Sequence, residues 1–297
     1  MTVLALDIGA TKFAVAVVES DFRLRDVRRA AVTADDPWAQ CRALLLAVAG
    51  DKLVTAIGIG SAGPIEVADG VASPLNIPRW RDGFAIVEHV RTLFPAAVVR
   101  FAIDGACLAL AEHRIGGLRG VRNGLALTVS SGVGGGIIAD GRVLLGRTGN
   151  AGHLGHIVVP GDDTPCACGG FGCVEAVASG MSSVRWARGR GWSGETGIEL
   201  AEAAGRSDPI ALDALARAGT ALGQAISSAS ALLDVDRVVI GGGFAHSGAP
   251  LWHPLRAAVD RHARLAFTRG LTVELSALSE GATLVGAGVL AVEAASN

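Results

Sequence analysis

The sequence predicts an α/β protein built from two related halves. An apolar strand, a polar turn that contains glycine and a second strand occur at the start of the chain, and the same order returns about 120 residues later. Elsewhere, short runs of β-branched residues alternate with helix-like stretches, a pattern typical of sheets covered by helices. The 297 residues, half of them hydrophobic, are enough for a core in each half. We therefore expect two lobes with a ligand site in the cleft between them.

Each predicted element follows from a local pattern. Runs rich in Val, Ile and Leu predict strands at 3–6, 13–18, 56–59, 98–103, 125–129, 137–139 and 237–240. Helical spacing of apolar residues predicts helices at 37–50, 83–94, 106–113, 212–233 and 282–295. We place the N-terminal lobe at residues 1–116 and the C-terminal lobe at 117–281. The closing helix, about 282–297, is expected to return to the first lobe.

Charge and composition argue against several classes of protein. The net charge is only −2, with 26 Lys and Arg against 28 Asp and Glu, and no basic tract indicates a nucleic-acid partner. The chain opens on a core strand instead of a signal peptide, and no run of 18 apolar residues predicts a membrane span. Five cysteines without a secretion signal indicate a reducing, cytoplasmic setting, in which Cys41 and Cys107 are expected to be small buried side chains.

The first polar turn is a candidate for binding phosphate. It places a carboxylate, a glycine, a hydroxyl and a cation on one bend, through Asp7, Gly9, Thr11 and Lys12. Backbone N–H groups and a hydroxyl can face a phosphate there, while the carboxylate orients Mg²⁺ or its waters. Hairpins without any ligand also contain such turns, so this turn alone does not decide the function.

Two further turns favour the same interpretation. The second, at 130–136, offers hydroxyls and open backbone through Ser131, Gly132 and Gly134 but has no cation. The third, at 241–243, includes Gly242 and Gly243. Together the three turns favour phosphate binding. None of them matches the G-x-x-x-x-G-K-[ST] loop or the G-x-G-x-x-G fingerprint, which argues against P-loop and Rossmann chemistry.

Asp104 lies where an apolar strand ends and a helix begins. This position is typical of a helix N-cap, in which the carboxylate accepts hydrogen bonds from the first turn of the helix. It is equally typical of a general base, because open α/β sheets bind ligands at the carboxyl ends of their strands. The local sequence leaves both interpretations open.

A zinc-binding pattern is the strongest single signal in the chain. Three thiols and one imidazole form a four-ligand set with no open position, which is the composition of structural zinc sites; they belong to His156, Cys166, Cys168 and Cys173. The Cys-x-Cys spacing differs from that of zinc fingers, and the Gly-Gly-Phe-Gly segment allows the chain to curl around an ion. Three unrelated buried cysteines are the alternative.

Several segments together resemble the ROK family (repressor, open reading frame, kinase), from residue 3 to about residue 290. They are LALDIGATKFAVAVV, LTVSSGVGGGII, GNAGHLGHIVV, CACGGFGCVEAVASG and VVIGGGF, which look like the phosphate, sugar and zinc motifs of that family. The resemblance implies an actin-like, hexokinase-like fold of two RNase-H-like lobes with ATP and sugar bound between them. It also implies assembly into homodimers or homotetramers.

The same resemblance implies a role for each candidate residue. Asp104 would accept the proton of the sugar hydroxyl, and the turns at 7–12 and 130–136 would hold the phosphates. The third turn would lie near adenosine, and His156 would be both a zinc ligand and close to the sugar. The implied sugar-binding residues are Asn76, Asp104, His153, His156 and Glu175.

Two positions depart from the family pattern and bear on the sugar. The catalytic strand ends in Ile103-Asp104 where Asn-Asp is usual, so we expect an apolar wall in place of an amide donor and acceptor. His153 stands where the sugar loop usually has glutamate, which exchanges an ionised acceptor for a group that can also donate. This version is similar to some bacterial N-acetylmannosamine kinases, in which a donor suits an acetamido carbonyl.

We therefore predict an ATP:sugar phosphotransferase that uses Mg²⁺, carries one structural zinc and phosphorylates glucose or N-acetylmannosamine at the 6-hydroxyl. A sugar-sensing repressor is one alternative, although its DNA-binding helix-turn-helix would lie ahead of the first turn, where six residues precede Asp7. A catalytically dead sugar-binding or regulatory protein is the other, because of Ile103 and His153. An ATPase assay across a panel of sugars separates the dead protein from the enzyme.

Overall fold

Two five-stranded sheets form the framework of the protein, in a computed structural model that describes residues 2–9, 11–32, 35–278 and 281–295. The strands are β1 (Thr2–Ile8), β2 (Lys12–Val18), β3 (Leu24–Ala31), β4 (Val54–Ser61), β5 (Ile65–Glu66), β6 (Val71–Ala72), β7 (Val98–Ile103), β8 (Gly124–Val129), β9 (Val133–Ala139), β10 (Arg142–Val143), β11 (Arg237–Gly241) and β12 (Thr272–Leu275). The α-helices are α1 (Pro37–Ala49), α2 (Ile86–Leu93), α3 (Asp104–Ile115), α4 (Val174–Ala178), α5 (Gly180–Arg188), α6 (Gly197–Gly205), α7 (Pro209–Leu233), α8 (Ala249–His262) and α9 (Ala282–Ala295). Short 3₁₀ helices lie at Pro78–Trp80, Leu154–His156, Gly243–His246 and Ala266–Thr268.

The two sheets repeat one topology. The first has the order β3-β2-β1-β4-β7, in which β1 is antiparallel to β2 and parallel to β4, and β4 is parallel to β7. The second has the order β10-β9-β8-β11-β12, in which β8 is antiparallel to β9 and parallel to β11. In the first sheet Ile8 pairs with Ser61 and Ser61 with Ile103, so its parallel strands end at one edge. The segments that follow β1 and β7 therefore begin at the same edge of this sheet.

The chain divides into two compact units. The first contains the residues up to Ile115, Val143–Gly152 and the segment from Leu278 onward, and the second contains Gly116–Arg142 and His153–Ala277. Residues 143–152, which the sequence places in the C-terminal lobe, belong to the first unit in the structure.

Hydrogen bonds explain why 143–152 belongs to the first unit. The Asn150 side chain donates to the Ile65 O and accepts from the Ile65 N–H, and the Val67 N–H donates to the Thr148 O. These partners lie about 80 residues apart in the chain. No local pattern in the sequence could therefore indicate the contact.

The last helix packs unusually closely against the first unit. A Cβ atom at Gly58 would lie 1.7 Å from the Ala287 O, and one at Gly286 would lie 1.7 Å from the Cys107 O. Glycine at 58 and 286 therefore allows α9 to contact β4 and α3 through their backbones. Cys41 and Cys107 are fully buried in this hydrophobic core, as expected for small apolar side chains.

Most predicted elements are present, with some differences at their ends. The predicted second turn, 130–136, is shorter, because β9 already begins at Val133 and Gly134 pairs with Thr128 of β8. Gly134 is therefore a strand residue that follows the turn, and its phosphate-binding role stays a prediction. Within the described ranges, no helix combines the length and the apolar character needed to cross a membrane.

Candidate functional site

Two carboxylates lie at the carboxyl edge of the first sheet. Asp7 is near the end of β1, and Asp104 is the first residue of α3, directly after β7. Burial, followed by the charge of Asp104, raises the pKa of Asp7 from 3.8 to about 7, while Lys12 and Arg29 oppose the shift. Asp104 Oδ1 accepts a hydrogen bond from the Gly105 N–H at 2.7 Å, so one of its oxygens serves the start of the helix. The strand register brings these two predicted residues within electrostatic range of each other.

The first polar turn is closed by one backbone hydrogen bond. The Gly9 N–H donates to the Lys12 O at 3.0 Å, and a Cβ atom at position 9 would meet the same oxygen at 3.0 Å. The Thr11 O accepts from the Val32 N–H at 2.9 Å. Thr11 and Lys12 are both exposed, so their hydroxyl and ammonium groups lie at the surface of the first unit.

Two other residues singled out in the first unit have different surroundings. Asn76 lies in an exposed turn, in which the Ile77 N–H donates to the Pro74 O at 3.1 Å. Ile103 is only 3% exposed and belongs to the hydrophobic core of this unit. The expectation that Ile103 forms an apolar wall of the sugar pocket is therefore wrong, because its side chain is used in core packing and presents almost no surface to a ligand.

The second polar turn is held from two sides. The Ser130 N–H donates to the Gly132 O at 2.9 Å, and the Gly180 N–H, at the start of α5, donates to the Ser130 O at 2.8 Å. Gly242 has a φ of +91°, and a Cβ atom there would lie 2.5 Å from the Val129 O. Only glycine fits where the third turn approaches the end of β8. The second and third predicted turns are therefore neighbours.

A pocket of about 920 Å³ opens beside these two turns, within the second unit. Ser131 and Gly243 line it, and its apolar walls include Met181, Val184, Ile198, Ala201 and Phe244. A concave, mainly apolar site of this size with a few polar groups is typical of cofactor and nucleotide sites. The sequence analysis found the turns that border the pocket but missed its walls, because α5 and α6 reach β8 and β11 only through tertiary packing.

Three thiols and one imidazole converge at the predicted metal site. The ligand atoms of His156, Cys166, Cys168 and Cys173 all lie within 4.8 Å of one another. His156 Nδ1 is 3.8 Å from Cys166 Sγ, and Cys168 Sγ is 3.8 Å from Cys173 Sγ. Zinc–sulfur bonds of about 2.3 Å at a tetrahedral angle separate two sulfurs by about 3.8 Å. The donor set therefore fits zinc.

The chemistry of the thiols and the path of the chain also suit a cation. Burial raises the pKa of Cys166, and it raises the pKa of Cys173 to about 12. A divalent cation reverses this preference, because it binds thiolates and displaces their protons. Gly172 has a φ of +70°, and a Cβ atom there would lie 2.4 Å from the Asp162 O, so glycine is required where the chain turns back towards Cys173.

Arg217 belongs to this site, although the sequence analysis missed it. Its guanidinium donates to Asp162 Oδ2 at 2.6 Å, to Thr164 Oγ1 at 3.1 Å and to the Val177 O at 2.9 Å. It therefore joins the zinc loop (residues 156–173) to the end of α4. The paired side chains of Arg217 and Asp162 are only 17% and 18% exposed.

The charge of Asp162 is stabilised by these contacts. Burial by itself raises the pKa of Asp162, but hydrogen bonds from Thr164 and Arg217 outweigh it and bring the pKa below its ordinary value. Asp162 and Arg217 are 55 residues apart in the chain, and no motif surrounds either of them. No signal in the sequence could therefore have paired them.

The predicted sugar-binding side chains of the second unit form one cluster. His153 precedes the 3₁₀ helix, and its ring centroid lies 5.7 Å from that of His156. Burial and then His156 lower the pKa of His153, against the opposing effect of Glu175, so its imidazole is neutral at pH 7 and can both donate and accept. Glu175, in the first turn of α4, accepts a hydrogen bond at Oε2 from the Val133 N–H at 2.9 Å.

Similarity to known proteins extends over nearly the whole chain. A family model described as ROK family matches residues 3–294. The N-acetylmannosamine kinase of Escherichia fergusonii is 33% identical over 248 residues, which cover 82% of this chain and 83% of that protein. The glucokinase of Thermotoga maritima is 30% identical over 307 residues, which cover 97% of this chain and 96% of that protein.

The fold is also found among solved structures. The ROK family glucokinase from Streptomyces griseus, in complex with glucose and AMPPNP, superposes with a TM-score of 0.84 at 28% identity. The superposition covers 99% of this chain and 100% of that one. Sequence and backbone similarity therefore agree over both units.

The raised pKa of Asp7 predicts a pH-dependent stability. The carboxyl group titrates near pH 7 in the folded protein and near 3.8 in the unfolded chain, so the free energy of unfolding should decrease as pH rises through this interval. Asp7→Asn removes the ionisable group, and with it the decrease in the free energy of unfolding at high pH. In Mg²⁺-free and nucleotide-free protein, we expect Asp7→Asn to raise the Tm by at least ~3 °C at pH 8 and to give no gain near pH 4.

Calorimetric melting at both pH values checks this expectation. Asp69→Asn, at an exposed position of the same unit, is the matched control and should change the Tm equally at the two pH values. An Asp7→Asn protein whose Tm differs from that of the wild type by the same amount at pH 4 and pH 8 would contradict the assignment.

The clamp formed by Arg217 predicts slow release of zinc from the wild-type protein. Arg217→Met leaves Asp162 Oδ2 and the Val177 O without the guanidinium donor, and losing such a partly buried, charge-assisted hydrogen bond costs about 1–3 kcal/mol. We expect zinc transfer to a chromogenic chelator to become at least ~10-fold faster and the Tm to fall. Cys168→Ser, which removes a ligand, should retain little zinc in metal analysis.

Arg206→Met is the matched control, because Arg206 forms an exposed ion pair with Glu202 in the same unit at 4.0 Å. Its zinc release should equal that of the wild type. Equal release rates in Arg217→Met and Arg206→Met would show that Arg217 does not hold the zinc loop.

Proposed function

The chain belongs to the ROK family and has its actin/hexokinase-like fold, and we propose that it is a sugar kinase that transfers the γ-phosphate of ATP to the 6-hydroxyl of a hexose. The observation that carries the proposal is the pocket of the second unit, which joins apolar walls of nucleotide size to the hydroxyl of Ser131 and the backbone of Gly243. The similarity to a glucokinase and to an N-acetylmannosamine kinase supports a sugar as the acceptor.

In this proposal, ATP is bound by the shape of the pocket and by backbone groups of the turn at 130–132. The walls formed by Met181, Ile198 and Phe244 bury the base, because an aromatic ring system gains most from leaving water. The short turn at 130–132 presents a hydroxyl and backbone groups to the phosphates. In the first unit, the exposed side chains of Thr11 and Lys12 offer a hydroxyl and a cation that suit phosphate as well. Phosphoryl transfer depends mainly on such positioning and charge stabilisation.

Asp104 is the proposed general base. In-line transfer needs a group that accepts the proton of the attacking hydroxyl, and a carboxylate at the carboxyl edge of a sheet suits that task. The hydrogen bond from the Gly105 N–H fixes the orientation of the Asp104 carboxylate. Asp7 is the residue of this unit that would orient Mg²⁺ or its waters. When bound, Mg²⁺ neutralises negative charge on the phosphates.

Zinc has a structural role in this proposal. Its four ligands are all protein side chains, so no coordination position is left for a substrate. The residues that would hold it are His156, Cys166, Cys168 and Cys173, and helix α4 with Glu175 begins directly after the last of them. The ion would therefore order the groups that bind the sugar without taking part in the transfer.

The sugar is recognised by groups with both donor and acceptor capacity. A neutral His153 can donate to an acetamido carbonyl or accept from a hydroxyl, which makes N-acetylmannosamine and glucose the two candidate substrates. Asn76, an exposed amide of the first unit, stays a predicted sugar-binding residue. The buried Ile103 supplies no amide to the sugar, so the catalytically dead protein stays the alternative that the activity assay tests.

A coupled ADP-release assay across a panel of hexoses and N-acetylhexosamines tests the function, with Asp104→Asn as the matched variant. Asn keeps the shape of the side chain but cannot take the proton, so kcat should fall by ~10²-fold or more with little change in sugar affinity. Phosphorus NMR of the product identifies the hydroxyl that is phosphorylated. Sugar-independent ATP hydrolysis alone, or near-normal turnover by folded Asp104→Asn, would refute the proposed mechanism.

Specificity should depend on residue 153. His153→Glu replaces a donor by an acceptor-only group, so an acetamido carbonyl would lose its partner while a sugar hydroxyl would gain an acceptor. An unpaired buried polar group costs about 1–3 kcal/mol, or roughly ten- to a hundredfold in kcat/KM. We expect the ratio of kcat/KM for N-acetylmannosamine to that for glucose to shift at least ~10-fold towards glucose.

Both sugars are measured with both proteins at saturating ATP. His253→Glu, at an exposed position of α8 in the same unit, controls for the added charge and should leave the ratio unchanged. The same ratio in wild type and His153→Glu would mean that residue 153 does not contact the C1–C2 edge of the sugar.

A further inference from the structure

Glu175 contacts the second phosphate turn as well as lying in the sugar-binding cluster. Its Oε2 accepts the hydrogen bond of the Val133 N–H, and Val133 follows Ser131 and Gly132 in the chain. On the proposed function, this carboxylate touches donor-binding and acceptor-binding groups of the same unit. We propose that Glu175 is a positioning residue for the phosphate donor, because its Oε2 holds the second turn through the Val133 N–H.

The packing around this hydrogen bond is tight. A Cβ atom at Gly132 would lie 2.6 Å from Glu175 Oε2, and a Cβ atom at Gly155 would lie 2.0 Å from the Val133 O. Real side chains do not approach other atoms so closely, so glycine at these two positions is what allows the contact. The backbone of Val133 is therefore enclosed between Glu175 on one side and the sugar loop on the other.

Helix α4 is held at both of its ends, and α5, which follows it, also contacts the turn. Helix α4 begins after the zinc ligand Cys173, and beyond its last residue the Gly180 N–H donates to the Ser130 O at 2.8 Å. Arg217 fixes the last turn of the helix through the Val177 O at 2.9 Å. Because both ends of the helix are held, a fixed carboxylate at position 175 imposes one position on the backbone of the turn.

If Glu175 positions the phosphate donor, removing the oxygen that accepts the Val133 N–H hydrogen bond should lower the affinity for the nucleotide. Glu175→Ala removes the acceptor, whereas Glu175→Gln keeps an amide oxygen of similar position that can accept the same hydrogen bond. A side chain that served only the sugar would leave nucleotide affinity unchanged in both variants. The comparison of the two substitutions therefore separates positioning of the donor from binding of the sugar.

The first measurement is calorimetric titration with AMPPNP and Mg²⁺ in the absence of sugar. We expect Glu175→Ala to raise the Kd for AMPPNP at least ~5-fold and Glu175→Gln to stay within about twofold of the wild type. His153→Ala is the matched control, because it alters the sugar cluster without touching the Val133 N–H, and its Kd for AMPPNP should equal that of the wild type.

The second measurement tests whether a change in the phosphate turn alters the affinity for sugar. Gly132→Ala places a methyl group against Glu175 Oε2 and should displace the carboxylate, although the substitution lies in the phosphate turn. We expect the Kd for the sugar that the wild type phosphorylates, glucose or N-acetylmannosamine, to rise at least ~5-fold without nucleotide present. Ser131→Ala, in the same turn, should leave the Kd for the sugar unchanged.

The outcomes distinguish this inference from the proposed function. Wild-type protein that does not bind AMPPNP would overturn the proposed function and the donor role of Glu175 together. Wild-type binding with equal affinity in Glu175→Ala, at normal zinc content and Tm, would overturn the positioning role alone. If Glu175→Ala lost zinc or failed to fold, an unchanged Kd for sugar in Gly132→Ala would overturn it instead.

Discussion

The register of the parallel strands is the constraint on which the rest of the structure depends. In the first sheet, the pairing of Ile8 with Ser61 and of Ser61 with Ile103 sets the common edge at which both Asp7 and Asp104 lie. A slip of one residue would turn every core side chain to the opposite face of the sheet, so the hydrophobic core protects this alignment. In each unit, core packing therefore also fixes the positions of the polar turns that follow the strands.

At the carboxyl edge of the first sheet, the surroundings of Asp7 disfavour its ionised form. Desolvation and the neighbouring Asp104 raise the pKa of Asp7 to about 7, so the folded chain keeps a carboxylate there at the expense of stability. Such an arrangement is understandable if a cation or a phosphate-bound ion is to be held at this edge, because the ion relieves the repulsion between the two carboxylates. The ionised form of Asp7 therefore lowers the stability of the first unit unless a cation lies nearby.

In the second unit, several contacts hold the glycine-containing turn at 130–132 in one conformation. Zinc ligands at one end of α4 and the Arg217 clamp at the other place Glu175 against the turn, and glycines at 132 and 155 allow the contact. The metal-ligand cluster, the ion pair and Glu175 are consequently linked through α4 and the segments beside it. On the proposed function, a structural zinc would influence phosphate binding without approaching the phosphate.

Whatever depends on short stretches of chain could be predicted from the sequence. The long helices and most strands follow from hydrophobic periodicity, the zinc ligands from spacing within eighteen residues, and the polar turns from glycine between two strands. Asp104 could be predicted as a candidate because it directly follows a strand. Its proximity to Asp7, in contrast, depends on how the strands pair in the sheet.

The remaining features could not be predicted from short stretches of chain, because they depend on which distant residues become neighbours in the fold. Gly134 became a strand residue through its pairing with β8, and Ile103 a core residue through burial, neither of which local composition specifies. The apolar walls of the pocket and the clamp of Arg217 come from helices that pack against segments far away in the chain. The amino-acid sequence specifies which kinds of chemical groups are available. Packing specifies which of them meet, because contact between side chains is a property of the folded backbone and not of spacing along the chain.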